Sequence, residues 1–180
     1  MGMGLSARAV DLIPMAGLRF GGASDNYNDS AASFGGIIDF SLPQQYGSRA
    51  IELYFSQQQL APRSGQMAPL PDMSVSVLHI GLADTRFTDD PRLSWLLIGS
   101  AGATRFAAGA SSDTRPSIGL GGAVRWMAND HFGVRGDLRA LIGFTGSNGT
   151  VIACNGGCSF FYAGTVVVQG EATAGVVIRF

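Results

Sequence analysis

The residues of this chain that could do chemistry fall into three sets. Arg135, Asp137 and Arg139 are spaced two apart, and Glu171 and Arg179 recur near the C-terminus. In a β-strand a spacing of two puts side chains on one face. These charges therefore form rows, which Arg19, Asp39, Glu52 and Arg125 extend on other alternating segments. An ion-pair network filling a closed interior accounts for such rows, and a proton or ion path is the alternative use. The second set is Cys154 and Cys158, which enclose Asn155-Gly156-Gly157. Those three residues tolerate positive φ, so the pair reads as a small disulfide loop. A redox motif would have two residues between its cysteines, at a helix start. Two thiolates with no nearby His are half a zinc site, so neither a metal nor another cofactor is expected. The third set is His79 and His131. A Ser–His–acid hydrolase needs its three groups to converge beside an oxyanion hole. Ser76 and Glu52 are candidate neighbours of His79, yet serine is plentiful here. Both histidines read as structural, and no catalytic residue is assigned.

The elements that must position these groups are strands. From Val166 to Phe180, small or apolar residues at Val166, Val168, Gly170, Ala172, Ala174, Val176, Ile178 and Phe180 alternate with Gln169, Glu171, Thr173 and Arg179. Phe132, Val134, Leu138, Ala140, Ile142 and Phe144 alternate with Arg135, Asp137 and Arg139 in the same way. Shorter alternations run through Ile118–Trp126, Ile51–Ser56, Phe34–Ser41 and Leu12–Phe20, the last blurred by Ile13 and Met15. Met73–Phe87 and Leu93–Phe106 each switch face midway, which a bulge in each would explain, as would different strand bounds there. Eight strands in one domain, residues 1–180 with a short segment 1–9 ahead of the first strand, are predicted. Gly35-Gly36 and Gly119 to Gly122 lie on strands, where they relieve crowding inside a narrow, curved sheet.

Composition says where such strands could sit. Charged residues are 14% of the 180, the net charge is −1, and all twelve cationic residues are Arg. Nucleic acid is excluded as a partner by that balance. Mean hydropathy is positive, yet no stretch approaches the ~18 apolar residues of a spanning helix. In a bilayer only helices and closed barrels satisfy every backbone polar group, so a membrane reading of this chain is a barrel reading. The N-terminal ten residues lack the features of a secretory signal, and the chain reads as mature.

Connections alternate in length. Segments 21–30, 59–72, 107–115 and 145–164 are long, and 42–48, 88–92 and 128–131 are short. Long extracellular loops and short periplasmic turns alternate in this way in outer-membrane barrels. Aromatics fall near strand ends, with Phe40, Trp95, Trp126, Phe132 and Phe180 toward the short-turn end and Phe20, Phe34, Phe55, Phe106 and Phe144 toward the other, as two girdles should. Phe160, Phe161 and Tyr162 in the longest loop are a candidate anchor for a partner, or a continuation of the outer girdle.

Gly119-Leu-Gly-Gly-Ala-Val-Arg125, Phe132-Gly-Val-Arg-Gly-Asp-Leu-Arg139 and Gly170-Glu-Ala-Thr-Ala-Gly-Val-Val-Ile-Arg-Phe180 resemble the small eight-stranded bacterial outer-membrane barrels. That class includes outer-membrane proteins A, X and W and the broad "outer membrane beta-barrel protein" group. The resemblance is specific over the last third and by pattern elsewhere. It implies an all-β, antiparallel, up-and-down transmembrane barrel in a Gram-negative outer membrane, reached through a signal peptide absent from this chain. The ending Val176, Ile178, Phe180 looks like the signal such proteins present to the barrel-assembly machinery. Outer-membrane lipid or lipopolysaccharide and an envelope protein are the other expected partners. The function implied is a non-enzymatic structural or interaction role, acting through the outer loops or as a docked subunit. A lipid A-modifying acyl hydrolase or transferase, and a narrow channel for small apolar solutes, are the alternatives.

Overall fold

A computed structural model describes residues 9–21, 27–43, 48–63, 70–144, 153–154, 158–159 and 166–180. The strands are β1 (Val10–Phe20), β2 (Ser30–Ser41), β3 (Arg49–Leu60), β4 (Met73–Phe87), β5 (Leu93–Ala108), β6 (Ser111–Met127), β7 (Phe132–Phe144), β8 (Ala153–Cys154), β9 (Cys158–Ser159) and β10 (Val166–Arg179). Eight of them close an antiparallel barrel in the order β1-β10-β7-β6-β5-β4-β3-β2, and β8 and β9 form a separate two-stranded antiparallel sheet. No helix among the described residues is long and apolar enough to cross a membrane.

Closure is staggered. Cross-strand partners followed once round the barrel run Phe20, Gly170, Ala140, Leu120, Gly99, Leu82, Ile51, Phe40 and back to Val10 on β1. The path therefore returns ten residues below its start. A shear of that size in eight strands tilts them by roughly 35–45°, and leaves an interior just wide enough for side chains to fill. Every strand of the barrel has two neighbours, so the barrel has no edge with unpaired backbone groups.

Alternation then decides what faces out. Leu78, Ile80, Leu82, Leu97, Leu120, Leu138 and Val168 are each more than half exposed on the outer surface. On the same strands His79, Arg135, Asp137, Arg139 and Glu171 are buried in the lumen. This is the inverse of a soluble protein's arrangement, and it suits a solvent of hydrocarbon. Phe40, Trp95, Trp126, Phe132 and Phe180 ring the end where β1 begins and β10 ends, and Phe20, Phe34, Phe55 and Phe144 the opposite end, all outward.

Four sequence expectations are corrected. β4 and β5 contain no bulge: the registers of β3–β4, β4–β5 and β5–β6 are unbroken. Their apparent switch of face arises because Val75 and Val77, and Leu96 and Ile98, are apolar residues pointing inward. Ile13 and Met15 blur β1 for the same reason, joining Ile37, Tyr54, Val77, Leu141 and Val177 in an apolar part of the lumen. Segment 107–115 is no long loop, since β5 and β6 pair to their ends, Ala108 opposite Ser111. Gly109, with φ of +57°, supplies the left-handed first position of that two-residue turn. Phe106 is not part of the outer girdle, because at the far end of β5 it turns inward with Tyr27, Leu60, Met73, Val75 and Ala108. Tyr27 closes this cap, donating from its hydroxyl to the Pro71 carbonyl at 2.9 Å. Burial, and then the Asp72 charge, push its phenol above the ordinary pKa, so it remains a donor.

Candidate functional site

The described lumen holds five arginines, Arg19, Arg125, Arg135, Arg139 and Arg179, and five carboxylates, Asp11, Asp39, Glu52, Asp137 and Glu171. Each carboxylate is at most 5% exposed. Buried ions must be paired and hydrogen-bonded to persist, and here they are, in three groups stacked along the axis.

At the end where β1 begins and β10 ends, Asp11 receives Arg179 at 2.7 and 2.8 Å and Arg125 at 3.1 Å. A vestibule of about 670 Å³ opens beside them, rimmed by Arg49, Arg92 and Asp130. Asp11 is the member that sequence reading missed. It stands opposite both Arg179 and Asp39 in the register, and its polar character between Val10 and Leu12 was the available signal.

The central group is the densest. Arg135 binds Asp39 at 2.8 Å, Glu52 at 2.7 Å and Asp137 at 2.8 Å, while Arg139 binds Glu52 at 2.6 Å and Asp137 at 2.8 Å. Arg139 also lies over the Tyr54 ring, its guanidinium carbon 4.3 Å from the centroid, a cation–π contact. The third group joins Arg19 to both oxygens of Glu171 at 3.3 Å. Tyr54 and Ser56 complete it: Tyr54 donates to Glu171, and Arg19 donates to Ser56. Arg139 and Glu171 are cross-strand partners, yet each finds its ion pair elsewhere. The β7 row is satisfied both along the strand, where Asp137 bridges Arg135 and Arg139, and across the lumen, where the two arginines reach Asp39 and Glu52.

His79 lies inside the barrel beside this network. Its Nδ1 is 3.1 Å from Ser100 Oγ and its Nε2 is 2.7 Å from Ser117 Oγ, which also accepts from Thr104 at 2.9 Å. Glycine makes room for it: a Cβ on Gly102 would come 2.7 Å from the imidazole Cδ2, and one on Gly119 3.1 Å from Nδ1. The expected neighbours Ser76 and Glu52 are not its partners. Ser76 faces outward, and no carboxylate is among the hydrogen-bond partners of His79. A hydrolytic triad is therefore not assembled there. His131 sits in the β6–β7 turn, where Nδ1 meets the Arg179 carbonyl at 3.1 Å. Among the described residues no group of three or more metal-ligating side chains occurs.

The remaining sequence-predicted residues are placed as follows. Cys154 and Cys158 are backbone partners in the β8–β9 sheet. Phe160, Phe161 and Tyr162 lie outside the described residues. Val176, Ile178 and Phe180 face outward beside β1, and Phe180 exchanges backbone hydrogen bonds with Val10 at 3.0 and 3.3 Å.

A closed barrel with a girdled apolar exterior and an ionic interior defines the class: this is the fold of the small eight-stranded outer-membrane barrels. Solved structures agree. Neisserial surface protein A superposes with a TM-score of 0.64 at 13% identity, over 96% of this chain and 97% of that one. OprG from Pseudomonas aeruginosa gives 0.56 at 12%, covering 96% and 97%. Ail, the attachment invasion locus protein of Yersinia pestis, solved with the heparin analogue sucrose octasulfate, gives 0.53 at 14%, covering 96% and 98%. No family model and no curated protein matches the sequence.

Proposed function

We propose that the chain is an integral barrel of a bacterial outer membrane, a non-enzymatic scaffold that holds its long loops at the cell surface for an interaction. The observation that carries this reading is the neutralised lumen. Five arginines, three of them buried, meet five buried carboxylates, and Tyr27, Leu60, Met73, Val75, Phe106 and Ala108 pack over them at the loop end. A filled interior supports a rigid carrier better than a conduit. The shared fold with Ail, a protein solved holding a sulfated sugar analogue, supports a binding role for the loop end. Phe160, Phe161 and Tyr162 are the proposed anchor, since aromatics dominate binding hot spots, and Cys154–Cys158 the proposed disulfide beside it.

Purification from native membranes in mild detergent tests the reading. A stoichiometric envelope partner, lost when residues 160–162 are changed to serine, is expected. A reproducible change in the acyl chains of lipid A between cells with and without the protein, abolished by His79→Ala, would replace the scaffold with an enzyme.

A further inference from the structure

The outer face of the barrel is not apolar all the way to its loop end. One row of outward cross-strand partners runs Phe34, Gln57, Ser76, Arg105 and Thr114 over β2 to β6. The row beneath it, Phe55, Leu78, Ala103 and Pro116, is apolar, so the polar row begins where the hydrocarbon belt stops. On β7, β10 and β1 no such row exists, and Phe144, Val166, Val168 and Phe20 keep the surface apolar to the strand ends.

Arg105 is the exception that asks for a ligand. Elsewhere on the outward face of the described strands, charges occur only at the opposite end, where Arg49 and Arg86 flank Asp84 at 3.4 and 2.7 Å. Asp113 and Arg115, near Arg105 in sequence, bind each other at 2.6 Å. Arg105 is exposed, and among the described residues its hydrogen-bond partner is one hydroxyl, Ser112 Oγ at 3.4 Å. A guanidinium at the edge of hydrocarbon, with no carboxylate partner among the described residues, favours an anion from outside the protein.

The surroundings narrow the choice of anion. Ser76 and Thr114 flank Arg105 and Gln57 lies beyond Ser76, so hydroxyl and amide groups extend over three strand spacings, roughly 14 Å. Just past Gln57 the outer surface carries a groove of about 750 Å³ bounded by Ala32, Phe34, Phe55, Gln57 and Gln59, apolar below and amide-lined above. We infer that this face binds a phosphorylated glycolipid of the outer leaflet, with a phosphate on Arg105, the sugar along Ser76 and Gln57, and an acyl chain between Phe34 and Phe55. A single glycerophosphate headgroup is too small to use the whole row. This inference rests on the outer-membrane reading above.

Native mass spectrometry of the purified barrel, challenged with bis-phosphorylated lipid A, dephosphorylated lipid A and phosphatidylglycerol, tests it. Wild type should retain bis-phosphorylated lipid A in preference to the other two. Arg105→Gln should bind it about tenfold more weakly, the size of one lost charge-assisted contact, and Arg86→Gln at the other rim should bind as wild type does. Unchanged binding by Arg105→Gln, or equal retention of phosphatidylglycerol, overturns the inference. Insertion of each variant into vesicles is checked by heat-modifiable gel migration. A wild-type chain that inserts into no vesicle overturns the membrane reading itself, whereas insertion without lipid A preference overturns only the glycolipid site.

Discussion

Arg135 on β7 and Glu52 on β3 meet at 2.7 Å across the full width of the lumen, although their strands are four apart in the barrel order and 83 residues apart in the chain. Arg139, four residues along β7, reaches the same carboxylate at 2.6 Å. Two strands that share no backbone hydrogen bond are thereby tied through one side chain.

Removing that side chain should be costly. Glu52→Gln leaves two buried guanidinium groups short of a charge, and breaking a buried pair costs about 3–5 kcal/mol. Asp84→Asn, at an exposed pair, should change stability by less than about 1 kcal/mol. Urea unfolding in detergent, followed by heat-modifiable migration, checks both, and equal effects would contradict the facing of β3.

His79 reads as a structural polar residue. His79→Ala should strand Ser117 and Ser100 and lower stability by about 1–3 kcal/mol, while leaving insertion intact. Double variants with Ser117→Ala should show the two effects to be non-additive, because the groups share one hydrogen bond.

Two glycines on β5 separate crowding from conformational freedom. A Cβ on Gly102 would lie 2.0 Å from the Leu78 carbonyl oxygen, while Gly99, facing out, has nothing within 4 Å. Gly102→Ala should therefore destabilise by about 1–3 kcal/mol, and Gly99→Ala should be neutral or mildly stabilising. Parallel unfolding curves decide the matter.

The cysteine pair makes a chemical prediction. As backbone partners across β8–β9, Cys154 and Cys158 should resist alkylation in the isolated protein until a reductant is added. Labelling of both thiols without reduction would exclude the disulfide.

Much of this was legible in the chain because the strand period is two and the lumen is polar. On β7 and β10, where every charged residue faces inward, facing could be read position by position. Legibility failed where the lumen turned apolar. Val75, Val77, Leu96 and Ile98 look identical to outward residues by type, and only cross-strand register distinguishes them. Asp11 was overlooked because Ile13 and Met15 hide the inward face of β1. Asp137 between Arg135 and Arg139 could be paired from spacing alone, but the partners across the lumen were unreadable for a geometric reason: alternation gives the face, and the ten-residue stagger decides which heights coincide. The polar row through Arg105 was hidden likewise, since Gln57, Ser76, Arg105 and Thr114 come together only through register.

The claim at the centre of this account is a membrane barrel whose lumen is closed by its own ion pairs. Single-channel recording of the refolded chain in a planar bilayer tests it most directly. The account predicts a silent wild-type protein under applied voltage, with no discrete conductance steps. Stable ohmic steps from the wild-type barrel, scaling with salt concentration, would contradict it.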